Sequence, residues 1–261
     1  MRVLLVGAVT GLTATGPNEQ LIKPGPTTCH VVDEVSSIAG IMVQMGVQSK
    51  NITVLAKNKK NDIRKKMCQM GVNVGNITFR SATATDVLNC LRNENWDIIH
   101  FAGHSHWHTV PPDLCRHSRG SGCSFHQKVQ SSEAGLMVFE EPGDINPKNP
   151  YHGDALCLYQ ILKRNPSVKF IYFSSCRSGR DVILTEAMRH SLAIFALGFL
   201  WSVNDADACK FAIYFYEQLF RYLSNDANNP VAEAVWQTQC HFSVPGGQLG
   251  TLAPVLISQH F

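Results

Sequence analysis

Three short runs, Ile98–Phe101, Phe170–Phe173 and Leu192–Leu197, are nearly continuous in apolar residues. A strand with one face in water alternates apolar and polar side chains, so unbroken runs of this length read as central strands covered on both faces. Sheets of that kind are parallel and need helices to cover them, and the rest of the chain supplies the helices. Strand-like Val3–Val6 is followed by an amphipathic segment near His30–Met45, a strand Ile52–Ala56, a basic helix near Asp62–Met70, a strand Ile77–Arg80, a helix Thr85–Asn93 and the strand Asp97–Phe101. The second half continues with strand Leu136–Phe139, helix Asp154–Lys163, strand Val168–Ser174, helix Val182–Arg189, strand Ser191–Leu197, and helices Ala206–Leu223 and Pro230–Gln239. This rhythm predicts an α/β fold: a mostly parallel central sheet of about six strands with helices on both faces.

Two stretches break the rhythm. Gly11–Thr28 carries Pro17, Pro24 and Pro26 and reads as a long surface loop. Residues 105–134 hold Pro111, Pro112, Gly120 and Gly122 with little periodicity and read as a long insertion. In α/β sheets ligands sit outside the carboxyl ends of the strands, so an insertion leaving that edge is placed to overhang a site. No internal repeat is visible, and residues 1–261 are read as a single domain.

Composition narrows the function classes. The 261 residues are 44% hydrophobic and 16% charged, enough to bury a large core. A formal net charge of +3 is mild. The one basic run, Lys57, Lys59, Lys60, Arg64, Lys65 and Lys66, has no interleaved aromatic residues and reads as a solvated helix face, so nucleic acid is not an expected partner. No window approaches the ~18 consecutive apolar residues of a membrane span, and the apolar start Val3–Val9 runs into Thr10 without a cleavage signal. Nine cysteines, an odd count scattered through the predicted elements, suggest a reducing, cytoplasmic setting.

Two strand ends carry reactive side chains. One reads Asp97-Ile-Ile-His100-Phe-Ala-Gly103-His104-Ser105, the other Phe170-Ile-Tyr-Phe-Ser174-Ser175-Cys176-Arg177-Ser178-Gly179. A nucleophilic thiolate needs a base to take its proton and a positive environment to hold its charge; a strand-to-helix turn beside an imidazole offers both. Cys176 sits at such a turn, and His104 on a neighbouring strand end can serve as its base. The backbone N–H groups of Ser105 and Cys176 are candidate donors to an oxyanion. His100 falls in mid-strand and reads as structural. Taken singly, a cysteine or histidine on a buried strand is more often a core residue than a catalytic one.

These residues resemble the CHAT family, a caspase- and separase-related group of cysteine peptidases. Its pattern is apolar-apolar-His-Phe-Ala-Gly-His-Gly, then Ser-Ala-Cys-x-Ser-Gly, then Leu-Trp-x-Val-x-Asp before a long helix. The corresponding segments here are Ile98–Ser105, Ser174–Gly179 and Leu200–Asp205, in that order. The stretches Ala82–Leu88 and Val231–Ala234 are also similar. The resemblance implies a caspase-like three-layer sandwich with His104 as base and Cys176 as nucleophile, acting on a polypeptide without metal or organic cofactor. Ser105 stands where the family has Gly; it keeps the N–H donor and adds a side chain. The tetratricopeptide-repeat region that often accompanies the family has no counterpart here, so a repeat-domain partner or other regulatory protein is expected to supply control.

The resemblance further implies that Ser174, Trp201, Asp205 and Asp207 touch substrate. In separases an Asp of the Leu-Trp-x-Val-x-Asp segment contributes to a pocket for a basic residue. The residues themselves give Asp205 a simpler role as N-cap of the helix that follows, worth about 1 kcal/mol. His106, His108, Cys115, His117, Cys123 and His126 match no zinc signature by spacing, so no metal is expected. Two other readings are weighed: a catalytically silent, caspase-like interaction module, favoured by Ser105 and the insertion, and a nucleotide-binding protein, disfavoured because Gly7-Ala-Val-Thr-Gly11 lacks the lysine and spacing of a phosphate loop.

Overall fold

The computed structural model describes residues 1–8, 11–15, 21–25, 30–56, 59–82, 84–103, 105–109, 133–139, 154–157, 168–176, 178, 194–200, 203–243 and 252–258. Its centre is a seven-stranded sheet. Five strands lie in the first part of the chain or its middle: β1 (Val3–Gly7), β4 (Ile52–Leu55), β5 (Thr78–Arg80), β6 (Ile98–Ala102) and β10 (Phe170–Ser174). β11 (Phe195–Phe199) and β12 (Pro254–Ser258) complete it, in the order β12-β11-β10-β6-β1-β4-β5. All neighbours are parallel except β11 and β12, which run antiparallel. The expected α/β class holds, with seven strands rather than about six. The additional strand is β12, which opens on Pro254; a proline at the first position of an edge strand gives up no ladder bond that the sheet needs.

The alternate side chains of these strands explain the continuous apolar runs. Val3, Leu5, Ile98, Phe170, Tyr172 and Leu197 join one core with helices α1 (Val31–Gln44), α2 (Lys60–Gln69), α4 (Asp205–Ser224) and α5 (Pro230–Phe242). Leu4, Val6, Ile99, Phe101, Ile171 and Phe173 point the other way and are as completely buried, so both faces are covered. Phe101 and Phe173 stack with centroids 5.4 Å apart across β6 and β10. Helix α3 (Ala84–Asn93) buries Val87 and Leu91.

Of the basic run, Lys60, Arg64, Lys65 and Lys66 lie on α2, whose Ile63 and Met67 are buried, and Lys59 is its N-cap. Its charges meet partners in the chain: Lys59 Nζ is 3.2 Å from Asp62, Lys66 pairs with Asp33 on α1, and Arg64 lies over the Phe79 ring. No helix among the described residues is long and apolar enough to cross a membrane.

Four expectations need correction. Gly11–Thr28 is not all loop: β2 (Gly11–Thr15) and β3 (Leu21–Gly25) form an antiparallel pair in which Pro24 lies opposite Leu12. A two-stranded ribbon has only edges, where a residue without an N–H is tolerated. The tract 105–134 opens as a strand, β7 (Ser105–Thr109), paired antiparallel with β8 (Glu133–Phe139). The start of the expected helix Asp154–Lys163 is instead a strand, β9 (Asp154–Cys157), pairing with β8; four residues carry no period that separates helix from strand, and the pairing partner decides. The strand expected at Ser191–Leu197 begins later, at Phe195, and runs to Phe199. The expected helix Val182–Arg189 lies outside the described residues.

Candidate functional site

β6 and β10 are neighbours and parallel, in a register from Ile98–Phe170 to Ala102–Ser174. The contact continues past the last pair, where the Gly103 N–H donates to the Ser174 carbonyl at 3.3 Å. Both chains therefore leave the sheet at the same carboxyl edge, side by side. Positions 104 and 176 each stand two residues beyond the Ala102–Ser174 pair. His104 and Trp201 lie outside the described residues. Ser105 is described as the first residue of β7, in register with Met137.

The small residues at this edge have a steric cause. Ala8, just beyond β1, donates its N–H to the Ala102 carbonyl at 2.9 Å. A Cβ placed on Gly103 would come within 3.0 Å of both the Ala8 carbonyl oxygen and its Cβ, a distance that real Cβ atoms rarely show. Ala8, just beyond β1, thus packs under the turn that leads into position 104, and a larger residue than glycine fits there only if Ala8 gives way.

Cys176 is half-buried in the turn after β10. Its Sγ lies 3.7 Å from the Val203 carbonyl oxygen, to which the thiol donates. The turn is further held by Ser178, which is fully buried. Ser178 Oγ is 2.9 Å from the Phe173 carbonyl and 2.8 Å from the Ser175 carbonyl, and it accepts the Phe199 N–H at 3.2 Å. Ser178 and Val203 are both positions of the family pattern, but sequence reasoning gives neither a role. A serine two residues past the cysteine is visible as a turn-forming residue, but the N–H it accepts is set by where β11 ends.

The segment after Val203 leads into α4. Its N-cap is Asn204, not Asp205: the Asn204 side chain accepts the N–H groups of Ala206 at 3.0 Å and Asp207 at 3.4 Å. Asp205 is the first helical residue, and its carboxylate accepts the His30 N–H at 3.3 Å, joining the starts of α4 and α1. Asp207 is buried, with Lys210 Nζ 3.8 Å away. Asp205 and Asp207 thus follow Val203, which touches the thiol, by two and four residues. Ser174 is 4% exposed at the tip of β10.

His100 is structural, as its mid-strand position suggested. It is fully buried, with Nε2 2.9 Å from the buried Glu34 carboxylate on α1 and Nδ1 3.4 Å from the Tyr216 hydroxyl on α4. Its ring meets those of Tyr172 and Tyr216 edge-on, at 5.0 and 5.5 Å. Burial, with the Glu34 charge behind it, pushes both phenols well above their ordinary value, so they stay neutral.

Two other thiols are shifted by their surroundings. Burial pushes Cys209 far up, aided by the charges of Glu34, Asp33 and Asp205. Burial also raises Cys90, against the pull of the Arg80 guanidinium 3.2 Å from its sulfur. Such thiols are poor nucleophiles. The side chains of His106, His108, Cys115, His117, Cys123 and His126 lie outside the described residues; among the described residues no group of three or more His, Cys, Asp or Glu side chains is placed to hold a metal ion.

A family model of the CHAT domain matches residues 53–244, more than half of the chain and inclusive of both strand tips. No curated protein matches the sequence. Among solved structures, the chain is similar to the Arg-specific cysteine proteinase gingipain R at 8% identity and a TM-score of 0.47, covering 99% of this chain and 46% of that one. The chain therefore spans about half the length of that protein. A second structure, Sa239, is similar at 12% identity and a TM-score of 0.32, with 90% of each chain covered.

Proposed function

The chain belongs to the CHAT domain family, and from that premise we propose that it is a cysteine endopeptidase in which His104 is the base and Cys176 the nucleophile. The observation that carries the reading is the register of β6 and β10: two parallel neighbours whose tips, joined by the Gly103–Ser174 hydrogen bond, bring the chain just before position 104 beside the chain just before Cys176. In this mechanism the His104 imidazole takes the proton of Cys176, and the thiolate attacks the scissile carbonyl. Backbone N–H groups of Ser105 and Cys176 hold the oxyanion as it forms. The imidazolium then gives its proton to the departing amine, leaving an acyl-enzyme thioester. Water, deprotonated by the same imidazole, hydrolyses that thioester and restores the thiol. No metal or organic cofactor enters the balance.

Residues 1–261 act as one such domain on a protein substrate, with 105–134 as an insertion over the site and a regulatory protein as a further partner. Ser174 and Trp201 belong to the substrate site, and Asp205 and Asp207 favour a basic residue before the cut. The decisive experiment compares new protein N-termini produced by this chain and by its Cys176→Ala form, together with labelling by a thiol-directed peptide inhibitor. Cleavage and labelling that survive the substitution would reject the assignment.

One observation favours a second reading, a silent interaction module of the same fold. The Cys176 S–H donates to the Val203 carbonyl, so the thiol has a hydrogen-bond partner within its own fold. An iodoacetamide rate at Cys176 no faster than that of an ordinary cysteine at neutral pH would support this alternative.

A further inference from the structure

Among the described residues the Ser178 hydroxyl has three partners, all of them main-chain atoms around Cys176. Its single proton is shared between the Phe173 and Ser175 carbonyls, and its lone pair takes the Phe199 N–H. The Ser175 carbonyl belongs to the same peptide unit as the Cys176 N–H. No cis peptide bond occurs among the described residues, and in a trans peptide the C=O and N–H point in opposite directions. A hydroxyl that draws the Ser175 carbonyl inward, towards its fully buried position, therefore turns the Cys176 N–H away from it. The bond to Phe199 N–H ties this orientation to the end of β11, and the contact of Cys176 Sγ with Val203 fastens the turn to the same stretch of chain a second time.

We propose that Ser178 is a positioning residue that sets the direction of the Cys176 N–H, the donor assigned above to the oxyanion. The proposal rests on the peptidase reading for its consequence, but not for its geometry. Ser178 acts through the peptide plane, at no point touching substrate.

The test uses the full chain with Ser178→Ala and Ser178→Thr, a peptide substrate drawn from the N-terminus comparison, and amide hydrogen exchange at Phe199 followed by NMR. Removing one oxyanion donor outright lowers kcat by about 10²–10³, and misdirecting it should lower kcat by at least roughly tenfold with KM changed less than about threefold. Ser178→Thr, which keeps the hydroxyl, should restore most of the loss, and the Phe199 amide should exchange at least roughly tenfold faster in Ser178→Ala. An unchanged kcat, or a loss that only follows a lower Tm, overturns the proposal. If the unmodified chain cleaves nothing, the peptidase reading fails, and Phe199 exchange alone decides this one: equal rates in parent and Ser178→Ala reject it. Should Ser178→Ala not fold, the coupling is read in the unmodified chain by alkylating Cys176 with iodoacetamide. Faster exchange at Phe199 after alkylation supports the linkage, and an unchanged rate removes it.

Discussion

The Gly103 N–H meets the Ser174 carbonyl at 3.3 Å, one step past the last paired residues of β6 and β10, so the sheet remains joined up to the point where the two chain segments leave it. The same glycine is pressed against Ala8 from below. Gly103→Ala is expected to force Ala8 and the turn apart, at a cost of about 1–3 kcal/mol for an overpacked site. Urea denaturation gives the first quantity, and peptide cleavage by the folded variant should fall more than stability alone explains. A variant as stable and active as the parent would show that the close approach is unimportant.

His100 and Glu34 form a buried pair, 2.9 Å apart. His100→Ala leaves the carboxylate without that partner in the core and should destabilise the chain by about 3–5 kcal/mol. Chemical denaturation measures it. A cost near 1 kcal/mol would mean that water or another group reaches Glu34.

Asn204 and Asp205 have separable roles. Asn204→Ala removes a side chain that caps two N–H groups and should cost about 1 kcal/mol. Asp205→Ala removes the acceptor of the His30 N–H and should loosen the start of α1. If Asp205 also favours a basic residue before the cut, Asp205→Ala will shift the cleavage preference in a peptide library while Asn204→Ala will not.

Thiol reactivity offers a control for the nucleophile. Cys68 and Cys240 are exposed, whereas burial raises Cys90 and Cys209. In the native chain at neutral pH, peptide mapping after brief iodoacetamide treatment should find Cys68 and Cys240 modified at ordinary rates, Cys90 and Cys209 protected, and Cys176 fastest.

Asp97 stands at the opposite edge of the sheet. Burial raises its carboxyl, but hydrogen bonds from Lys169 and the Arg2 N–H, with the charges of Lys169 and the N-terminus, outweigh it and hold the group below its usual value. A depressed carboxylate stabilises the fold above the unfolded value, near 3.9, and that contribution is lost as pH falls through the lower folded one. Lys169 is largely exposed, so the effect is small, about 0.2–1 kcal/mol. The stability difference between parent and Asp97→Asn should therefore be present at neutral pH and vanish as pH falls through the lowered folded value.

The parallel sheet was legible because Ile98–Phe101 and Phe170–Phe173 are apolar on both faces, a pattern with one common structural cause. The two tips were legible for the same reason: whatever follows such strands leaves at the carboxyl edge. β9 is not legible because Asp154–Cys157 is too short for periodicity to decide, and only its pairing with β8, across residues 140–153, makes it a strand. The cap went to Asn204 rather than Asp205 because both are good capping residues and only backbone angles separate them. Ser178 was passed over because a serine in a turn does not announce which carbonyls will surround it.

The shared register of β6 and β10 has a consequence for how such a chain can vary. Spacing between Gly103 and Ser174 is governed by a hydrogen-bonded ladder, not by the length of polypeptide that connects them. The connecting tract can therefore be lengthened, shortened or cut without retuning the pair. One residue inserted within either strand, by contrast, would swing everything beyond it to the opposite side of the sheet.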